Sequence, residues 1–441
     1  MKIVGLITEY NPFHNGHKYH IEEAKRITGA DYVIAVMSGN FVQRGIPAII
    51  DKYQRAEMAL LHGVDLVLEL PVCYATASAE YFAHGAVSLL NKLGIVDCIC
   101  FGSECGDINL LQEAANFLLN TPQAFENHLQ SFIKEGLTYP AARLKALKHY
   151  LKEKHVSNAD VLSQVLTEPN NILGIEYMKA LLRLQSTIVP VTIKRISAHY
   201  HEETLGVKAA ALVDTSSPFH KSDDTSPQVI SSATAIRKAI HNQVEDEQYF
   251  NEMQYSVPNE VYKLLQTNYL KTYPITEDDF LSNILYKLLS EENNTLTEYV
   301  DITSDLADRL KNLSGYYSSF GELTKEVKTK NMTLTRINRA ILHLLLNMKT
   351  RTFEEYNNNG FTQYARVLGV KKNASHLLRK AQKNQSLPII TKVSKASSTL
   401  TPLALQMLKE DIFAAHLYNQ AVFAKFVTVI ANEYKHGIVI I

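Results

Sequence analysis

A loop with two histidines and a glycine follows the first apolar segment of the chain. Residues 11–17 read Asn-Pro-Phe-His-Asn-Gly-His, directly after a strand-like segment at residues 2–8. Where a helix begins beyond the carboxyl end of a parallel strand, its free N–H groups and its dipole attract phosphate. Gly16 would let the backbone approach the phosphates, while His14 and His17 would donate hydrogen bonds as charge builds on an α-phosphate under attack. The pattern predicts a phosphate site with His14 and His17 as catalytic residues.

The two histidines could instead cap a helix or satisfy hydrogen bonds in the core, as isolated histidines often do. The order His-x-Gly-His directly after the first strand of an α/β domain favours the phosphate role, because a motif gains weight from its structural context. We therefore expect the loop to form one anion clamp.

Short apolar segments alternate with helical patterns in the first hundred residues. The strand-like segments are residues 2–8, 31–38, 64–70 and 96–101, and the helical patterns are residues 17–29, 51–63 and 77–94. Apolar strands separated by helices of this length are typical of a parallel sheet covered on both faces. The sequence predicts an α/β fold with a doubly wound, Rossmann-like parallel sheet.

The later part of the chain is expected to be mainly helical. Residues 187–196 predict one more strand that returns to the sheet, and residues 230–240 predict a helix opened by serines, which suit an N-cap. A chain of 441 residues is long enough for two domains. We predict a catalytic domain at residues 1–245 and a mostly α-helical second domain at residues 246–441, where β signals return only near residues 387–393.

The cysteines, the N-terminal sequence and the spacing of possible metal ligands indicate a cellular compartment and whether a metal site is expected. Four cysteines in a chain of this length do not form a disulfide framework, and the N-terminus has no signal-peptide pattern, so we expect a reducing cytoplasm. No apolar run approaches the roughly 18 residues of a membrane span. Cys98 and Cys100 alternate on one strand, and His199, His201 and Glu202 lack a defined fourth ligand, so no protein-bound metal site is predicted.

Positive charge is concentrated in one part of a chain that is neutral overall. Lys and Arg total 45, as do Asp and Glu, yet residues 321–395 hold 15 basic residues against four acidic ones. Such a concentration indicates a polyanionic partner, although runs of lysine are often only a solvated helix face. The predicted RNA-phosphate contacts are Arg336, Arg339, Lys371, Lys372 and Arg379.

The motifs resemble those of HxGH nucleotidyltransferases, whose second signature is an Ile-Ser-Ser segment followed by a basic residue. Residues 230–237 read ISSATAIR. The resemblance implies that Ser231, Ser232 and Arg237 face the phosphates of a nucleotide, and a guanidinium can bind two phosphate oxygens at once. The alternative for each serine is a simple helix cap.

Longer phrases narrow the resemblance to one family. The phrases GLITEYNPFHNGHKYHI, VMSGNFVQRGIPAIIDKYQRAEMAL, GVDLVLELPV, CFGSE, PNNILGIEY and TRINRAILHLLL, which follow in this order over most of the chain, resemble the bacterial tRNA(Met) cytidine acetate ligase family. That family joins acetate to ATP as acetyl-adenylate and passes the acetyl group to N4 of the wobble cytidine of elongator tRNA(Met). The resemblance implies ATP as substrate, with Mg²⁺ carried on its phosphates and few protein ligands.

The resemblance also implies an ATP pocket. Gly102 would end a strand beneath the ligand, Asn171 would donate and accept hydrogen bonds, and Arg195 would add positive charge. The implied pocket residues are Ile7, Thr8, Glu9, Tyr10, Asn11, Pro12, Phe13, His14, Asn15, Gly16, His17, Lys18, Tyr19, His20, Gly102, Asn171, Lys194 and Arg195. Arg44 follows the second strand and could contact phosphate or RNA, although an exposed loop arginine is the default.

Two other functions are weighed against this one. A coenzyme adenylyltransferase of the same superfamily would need only the α/β domain, so the basic helical half argues against it. A noncatalytic RNA-binding protein on the same scaffold would have no need of His14, Gly16, His17 and Arg237, all of which are present.

Overall fold

The computed structural model describes residues 1–154, 163–195, 229–242, 253–313, 316–384 and 386–441. Its strands are β1 (Ile3–Thr8), β2 (Tyr32–Ser38), β3 (Phe41–Val42), β4 (Ile46–Pro47), β5 (Leu66–Leu70), β6 (Cys98–Ser103), β7 (Val189–Lys194), β8 (Ala365–Val370), β9 (Ile389–Ile390) and β10 (Val439–Ile440). Eight of them form one sheet in the order β10-β8-β5-β2-β1-β6-β7, with β9 beside β8. The five strands from β5 to β7 are parallel. The predicted doubly wound α/β fold is confirmed.

Helices cover this sheet and build most of the later chain. They are α1 (Asn15–Thr28), α2 (Lys52–Leu61), α3 (Val72–Ala75), α4 (Ala79–Leu93), α5 (Ile108–Leu119), α6 (Gln123–Lys134), α7 (Tyr139–Glu153), α8 (Pro169–Arg183), α9 (Ala233–Asn242), α10 (Asn259–Asn268), α11 (Leu281–Ser290), α12 (Asn293–Leu296), α13 (Ser304–Lys311), α14 (Phe320–Val327), α15 (Leu334–Leu345), α16 (Thr350–Asn358), α17 (His376–Asn384) and α18 (Pro402–Phe426). A 3₁₀ helix spans Glu277–Phe280. No helix among the described residues is long and apolar enough to cross a membrane.

The strands are apolar because the sheet is buried on both faces. Along β2, Ile34 and Val36 belong to one hydrophobic core, whereas Val33, Ala35 and Met37 belong to the other. Successive side chains of a strand point to opposite faces, so a strand between two cores needs apolar residues at every position. This is why continuous apolar runs marked the strands in the sequence.

The metal ligands considered in the sequence can be placed only in part. Cys98 and Cys100 lie on β6 with buried side chains and free thiols. His199, His201 and Glu202 lie outside the described residues, as does the last residue of the expected strand 187–196.

The expectation that β structure returns only near residues 387–393 is wrong. Strand β8 lies earlier, pairs antiparallel with β5, and carries β9 and β10. Its sequence ARVLGV is fully buried, but it is short and lies within the basic stretch, so it gave no clear strand signal. The division at residue 245 stays a prediction, and residues 243–252 lie outside the described part of the chain, but the sheet crosses that division.

A buried network of charges joins β8 to the first half of the chain. Arg366 of β8 lies 3.0 Å from Glu69 of β5 and also pairs with Glu433. Lys52 of α2 contacts the same two carboxylates, at 2.8 and 3.0 Å. All four side chains are at most 5% exposed. Since each charge has an opposite partner, the network holds the last segment of the chain on the sheet without an unpaired buried charge.

Candidate active site

A cavity of about 310 Å³ opens at the carboxyl edge of the parallel strands. We call it the edge cavity. The loop after β1, the end of β6, α8 and the Ile-Ser-Ser segment before α9 form its walls. Predicted residues that line it are Ile7, Thr8, Glu9, Asn11, His14, Gly16, His17, Tyr19, His20, Gly102, Arg195, Ser231, Ser232 and Arg237. The two signature segments, more than 200 residues apart in sequence, therefore meet at one site.

His14 and His17 form the start of α1. His14 is the N-cap residue, and its ring stacks on that of His17 with the ring centroids 3.7 Å apart. The backbone N–H of His14 donates to Nδ1 of His17 at 3.3 Å. Because Nδ1 accepts this hydrogen bond, the proton of the neutral His17 ring is on Nε2. His17 is thus both a helix cap and a donor to the edge cavity, so the capping and phosphate interpretations are compatible.

The histidines of α1 are neutral at physiological pH. Burial, reinforced by Arg195 and Arg237, lowers the pKa of His14 to about 3. Burial lowers the pKa of His17 well below its ordinary value, with His14, His20 and Arg195 acting in the same direction. Burial and Arg195 lower the pKa of His20 to about 4. Positive charge in the unliganded cavity is therefore supplied by the arginines, and the histidines offer neutral N–H donors.

Gly16 lines the edge cavity and also allows close packing of the two signature segments. A Cβ atom at this position would lie 2.9 Å from Cε1 of His14 and 3.4 Å from Cγ2 of Ile230. The glycine therefore leaves room for the His14 ring and for the Ile-Ser-Ser segment. Its neighbour Asn15 is buried and donates through Nδ2 to the backbone oxygens of Val229 and Tyr255, at 3.1 and 2.8 Å. Asn15 acts as a tether between the two signature segments and does not line the cavity.

The Ile-Ser-Ser segment and the helix after it contribute one arginine and two serines, and the serines have different hydrogen-bond partners. Ser231 is buried and shares a hydrogen bond of 2.8 Å with Ser256. Ser232 accepts from the backbone N–H of Ala235 at 3.1 Å, which is the helix-capping role that was the alternative for it. Arg237 donates to the backbone oxygen of Asn11 at 2.8 Å. This bond sets the guanidinium beside the loop after β1, where a phosphate at the start of α1 would lie.

Near the end of β6, two of the predicted residues, Asn171 and Lys194, are not among the lining residues of the edge cavity. The Asn171 side chain does not reach the edge cavity, because Oδ1 accepts the backbone N–H groups of Glu104 and Cys105 at 3.0 and 3.2 Å. Its neighbour Asn170 lines the cavity and accepts from Arg195 at 3.2 Å. Lys194 is exposed outside the lining. Gly102 lines the cavity as expected, and a Cβ there would lie 3.2 Å from Cγ of Arg195.

Other residues of the predicted loop stabilise the site through core packing and hydrogen bonds. Tyr10 and Phe13 are buried in the hydrophobic core, and Pro12 is buried as well. Lys18 lies on α1 outside the described lining. The carboxylate of Glu9 accepts the backbone N–H of Gln43 at 2.8 Å, which ties the β1 loop to the β3–β4 hairpin.

Sequence reasoning missed Arg55, which holds the loops after β1 and β2 together. The side chain is fully buried and donates to the backbone oxygens of Glu9, Ser38 and Ile50, at 2.6, 3.1 and 3.0 Å, and also to that of Gly39. A signal was present, because Arg55 lies on the apolar side of a helical pattern. A charged residue there needs several hydrogen bonds to offset its desolvation.

An apolar wall was also missed. Phe82, Phe101, Leu173 and Tyr177 also line the edge cavity. These residues come from three separate elements, and nothing in their local sequence distinguishes them from core residues. The cavity therefore combines polar, basic lining residues suited to phosphates with apolar ones suited to a flat base.

The structure separates the five basic residues predicted to bind RNA. Arg336 and Arg339 lie on α15, whose backbone packs against the β3–β4 hairpin near the edge cavity: a Cβ on Gly45 would lie 2.3 Å from the Arg339 nitrogen. Arg339 itself pairs with Asp301 at 3.1 Å.

Lys371, Lys372 and Arg379 lie at the other edge of the sheet. Because β8 runs antiparallel to β5, Val370 pairs with Leu66, the first residue of β5. The backbone N–H of Lys371 donates to the oxygen of Asp65 at 3.0 Å. Arg379 is on α17, whose His376 packs its ring on Tyr32 at the start of β2. These three residues are therefore at the amino edge of the parallel strands, opposite the edge cavity.

Comparisons with known proteins agree with this arrangement. The chain matches the family model of the HIGH Nucleotidyl Transferase over residues 1–215 and 213–429. It is 40% identical over 422 residues to the tRNA(Met) cytidine acetate ligase of Thermoanaerobacter sp., covering 96% of each chain. It is 38% identical to that of Acetivibrio thermocellus, covering 95% of this chain and 94% of the relative. The crystal structure of Thermotoga maritima TmcAL bound with alpha-thio ATP is 31% identical and superposes over 100% of both chains with a TM-score of 0.86.

Proposed function

The chain belongs to the tRNA(Met) cytidine acetate ligase family, and we propose that it activates acetate with ATP and transfers the acetyl group to N4 of the wobble cytidine of elongator tRNA(Met). The product is N4-acetylcytidine. The observation that carries the proposal is the convergence of neutral His14 and His17 donors, the start of α1, and the Arg195 and Arg237 guanidinium groups on one cavity.

In the activation step, an acetate oxygen attacks the α-phosphorus of ATP and pyrophosphate leaves with the bonding electron pair. Negative charge grows on the α-phosphate oxygens and on the leaving group. Donors that are already in place when this charge develops lower the barrier, because they need no reorganisation. We assign Nε2 of His17 to the α-phosphate, and Arg237 and Arg195 to the phosphate chain.

Mg²⁺ would enter with ATP and be held mainly by phosphate oxygens and water. Glu9 is the acidic side chain in the described lining of the edge cavity, so this part of the protein offers few metal ligands of its own. That composition fits an ion carried by the substrate. We also place the enzyme in the cytoplasm, where ATP and tRNA are available, a location that suits four free thiols.

The function is tested by incubating the protein with ATP, labelled acetate and total tRNA, followed by nucleoside analysis. The expected result is label in N4-acetylcytidine from elongator tRNA(Met). This label should be lost when the wobble cytidine is changed to uridine. Label elsewhere would refute the assigned acceptor. Transfer of AMP to a phosphorylated small molecule, with no label in tRNA, would instead support a coenzyme adenylyltransferase.

We further propose that the tRNA is held mainly by residues after 246, and that the two predicted basic groups contribute differently. Changing Arg336 alone to Ala should weaken tRNA binding and flatten its log–log salt dependence by nearly one unit, because one phosphate contact is lost. Changing Lys371, Lys372 and Arg379 together should have the smaller effect on binding per residue, since they lie at the far edge of the sheet. Binding titrations at several salt concentrations measure both.

Acetate activation is the control for these variants, because it requires only the edge cavity. Unchanged activation with reduced tRNA affinity would support the division of labour between the two parts of the chain. If the Arg336 variant kept its affinity and salt slope while the triple variant lost both, the tRNA would approach from the amino edge, against the proposal.

A further inference from the structure

A second cavity, of about 400 Å³, adjoins the edge cavity. The two share Arg44, Ile46, Thr234 and Arg237 as lining residues. A group placed in the second cavity would therefore be separated from a nucleotide in the edge cavity by only these side chains. The volume is ample for one pyrimidine base.

The far wall of the second cavity comes from elements that follow residue 246. They are the 3₁₀ helix, through Glu277, and α15, through Thr335 and Asn338. This wall is fixed in place, because the backbone N–H of Ile275 donates to the oxygen of Ile49 at 3.1 Å. On the other side, Gly45 allows the β3–β4 hairpin to touch the α15 backbone.

Two acceptor groups in this wall point to a ligand that donates hydrogen bonds. The Oδ1 atom of Asn338 is buried and has no hydrogen-bond partner among the described residues. Of the three acids of the 3₁₀ helix, Asp279 binds Thr276 and Lys425, and Asp278 accepts the backbone N–H of Phe320. Glu277 is the acid that lines the cavity.

The charge on Glu277 is set by its surroundings. Burial raises its pKa, its own backbone N–H and Arg237 lower it, and Asp278 and Asp279 raise it; the net direction is upward. A carboxylate whose pKa is raised is a stronger base than an exposed one.

We propose that the second cavity is the acceptor site, which takes a cytosine base turned out of the RNA strand, with the Glu277 carboxylate on its exocyclic amine. This inference rests on the proposed function, since it assigns the acceptor of that reaction. Cytosine presents an N4 amino donor, and a carboxylate is the side chain that pairs with it. An enzyme that modifies a base must first take it out of the stack.

Acetyl transfer from acetyl-adenylate to the base then needs one nucleophilic attack and one proton transfer. The N4 lone pair attacks the carbonyl carbon of acetyl-adenylate, and the new C–N bond forms. The C–O bond to the phosphate breaks, and AMP leaves with that electron pair, its new charge opposite Arg237. The N4 nitrogen gives one of its two protons to Glu277, which later releases it to water. No oxidant or further reactant is needed.

A basic groove adjoins the second cavity at the start of α15. Leu334 lines both the second cavity and a shallower groove that contains Lys325, Lys328 and Lys330. Nucleotides that flank the acceptor base would have their phosphates within reach of these lysines, so the groove is consistent with an RNA strand that delivers one base to the second cavity.

A Glu277→Gln variant tests the inference, because acetate activation and acetyl transfer can be measured separately in it. Acetate-dependent exchange of labelled pyrophosphate into ATP should stay within about threefold of wild type, while transfer of the acetyl group to tRNA should fall by ~100-fold or more, as expected for loss of a general base. The matched control is Glu292→Gln, an exposed glutamate outside this cavity, for which both rates should be unchanged.

A second variant, Thr335→Phe, fills the same cavity from α15 and should also block transfer but not exchange. Wild-type transfer by both variants, or an equal loss of exchange and transfer, would overturn the inference. A third readout is the ratio of affinities for tRNA with cytidine and with uridine at the acceptor position, which should fall toward one in Glu277→Gln. If the wild-type protein itself made no N4-acetylcytidine, the proposed function would fail instead.

Discussion

Replacing His17 with Asn should lower the rate of acetyl-adenylate formation by about 100- to 1000-fold, the usual cost of losing one donor to a charge that develops in the transition state. Asn can still accept the backbone N–H of His14, which the Nδ1 atom of His17 accepts at 3.3 Å, so the start of α1 should keep its cap. What is lost is the Nε2–H group. The readout is acetate-dependent pyrophosphate exchange.

The matched variant for this prediction is His17→Gln. Its side chain carries an N–H group near the position of Nε2, so it should retain more activity than His17→Asn. Thermal unfolding of both variants checks that α1 remains formed. An Asn variant that exchanges pyrophosphate at nearly the wild-type rate would contradict the catalytic role of His17 and leave only the capping role.

Replacing Arg366 with Met should lower the free energy of unfolding by about 3–5 kcal/mol, because it leaves two buried carboxylates with one cation between them. These are Glu69 and Glu433, which keep Lys52 as their one cationic partner among the described residues. Denaturant titration at pH 7 measures the change. The exposed Arg379→Met variant is the control and should shift stability by no more than about 0.5 kcal/mol.

The pH dependence of the Arg366 effect has a definite sign. Burial alone would raise the pKa of Glu433, but Lys52 and Arg366 lower it from 4.5 to about 2. A carboxylate with a depressed pKa stabilises the fold above its unfolded pKa and loses this contribution as pH falls toward its folded pKa. The difference between wild type and Arg366→Met should therefore be constant above about pH 5 and shrink between pH 4.5 and 2. A difference that grew in that range would be incompatible with the network.

The sequence predicted the elements that are determined by the pattern of their own residues. The strands β1, β2, β5 and β6 are mostly apolar, and the helices between them have ordinary lengths, so the parallel sheet could be predicted from periodicity. The His-x-Gly-His loop was recognisable because its order and its place after β1 carry the chemistry. The meeting of the loop with the Ile-Ser-Ser segment followed from the family resemblance.

What the sequence could not predict depends on long-range packing. Strand β8 joins the sheet beside β5, nearly 300 residues earlier in the chain, and its strand character comes from that partner and from the Arg366 network. The choice between Asn170 and Asn171 depends on which side chain caps the turn at Glu104. The basic residues looked like one patch because they are close in sequence, yet the antiparallel run of β8 takes Lys371 to the opposite edge from Arg336.

The most direct test of the central claim, that the edge cavity activates acetate before tRNA binds, is pyrophosphate exchange without tRNA. Wild-type protein is mixed with ATP, Mg²⁺ and labelled pyrophosphate, with and without acetate. Label should enter ATP only when acetate is present, because the exchange requires reversible formation of acetyl-adenylate. Exchange that was independent of acetate, or that appeared only after tRNA was added, would contradict the claim.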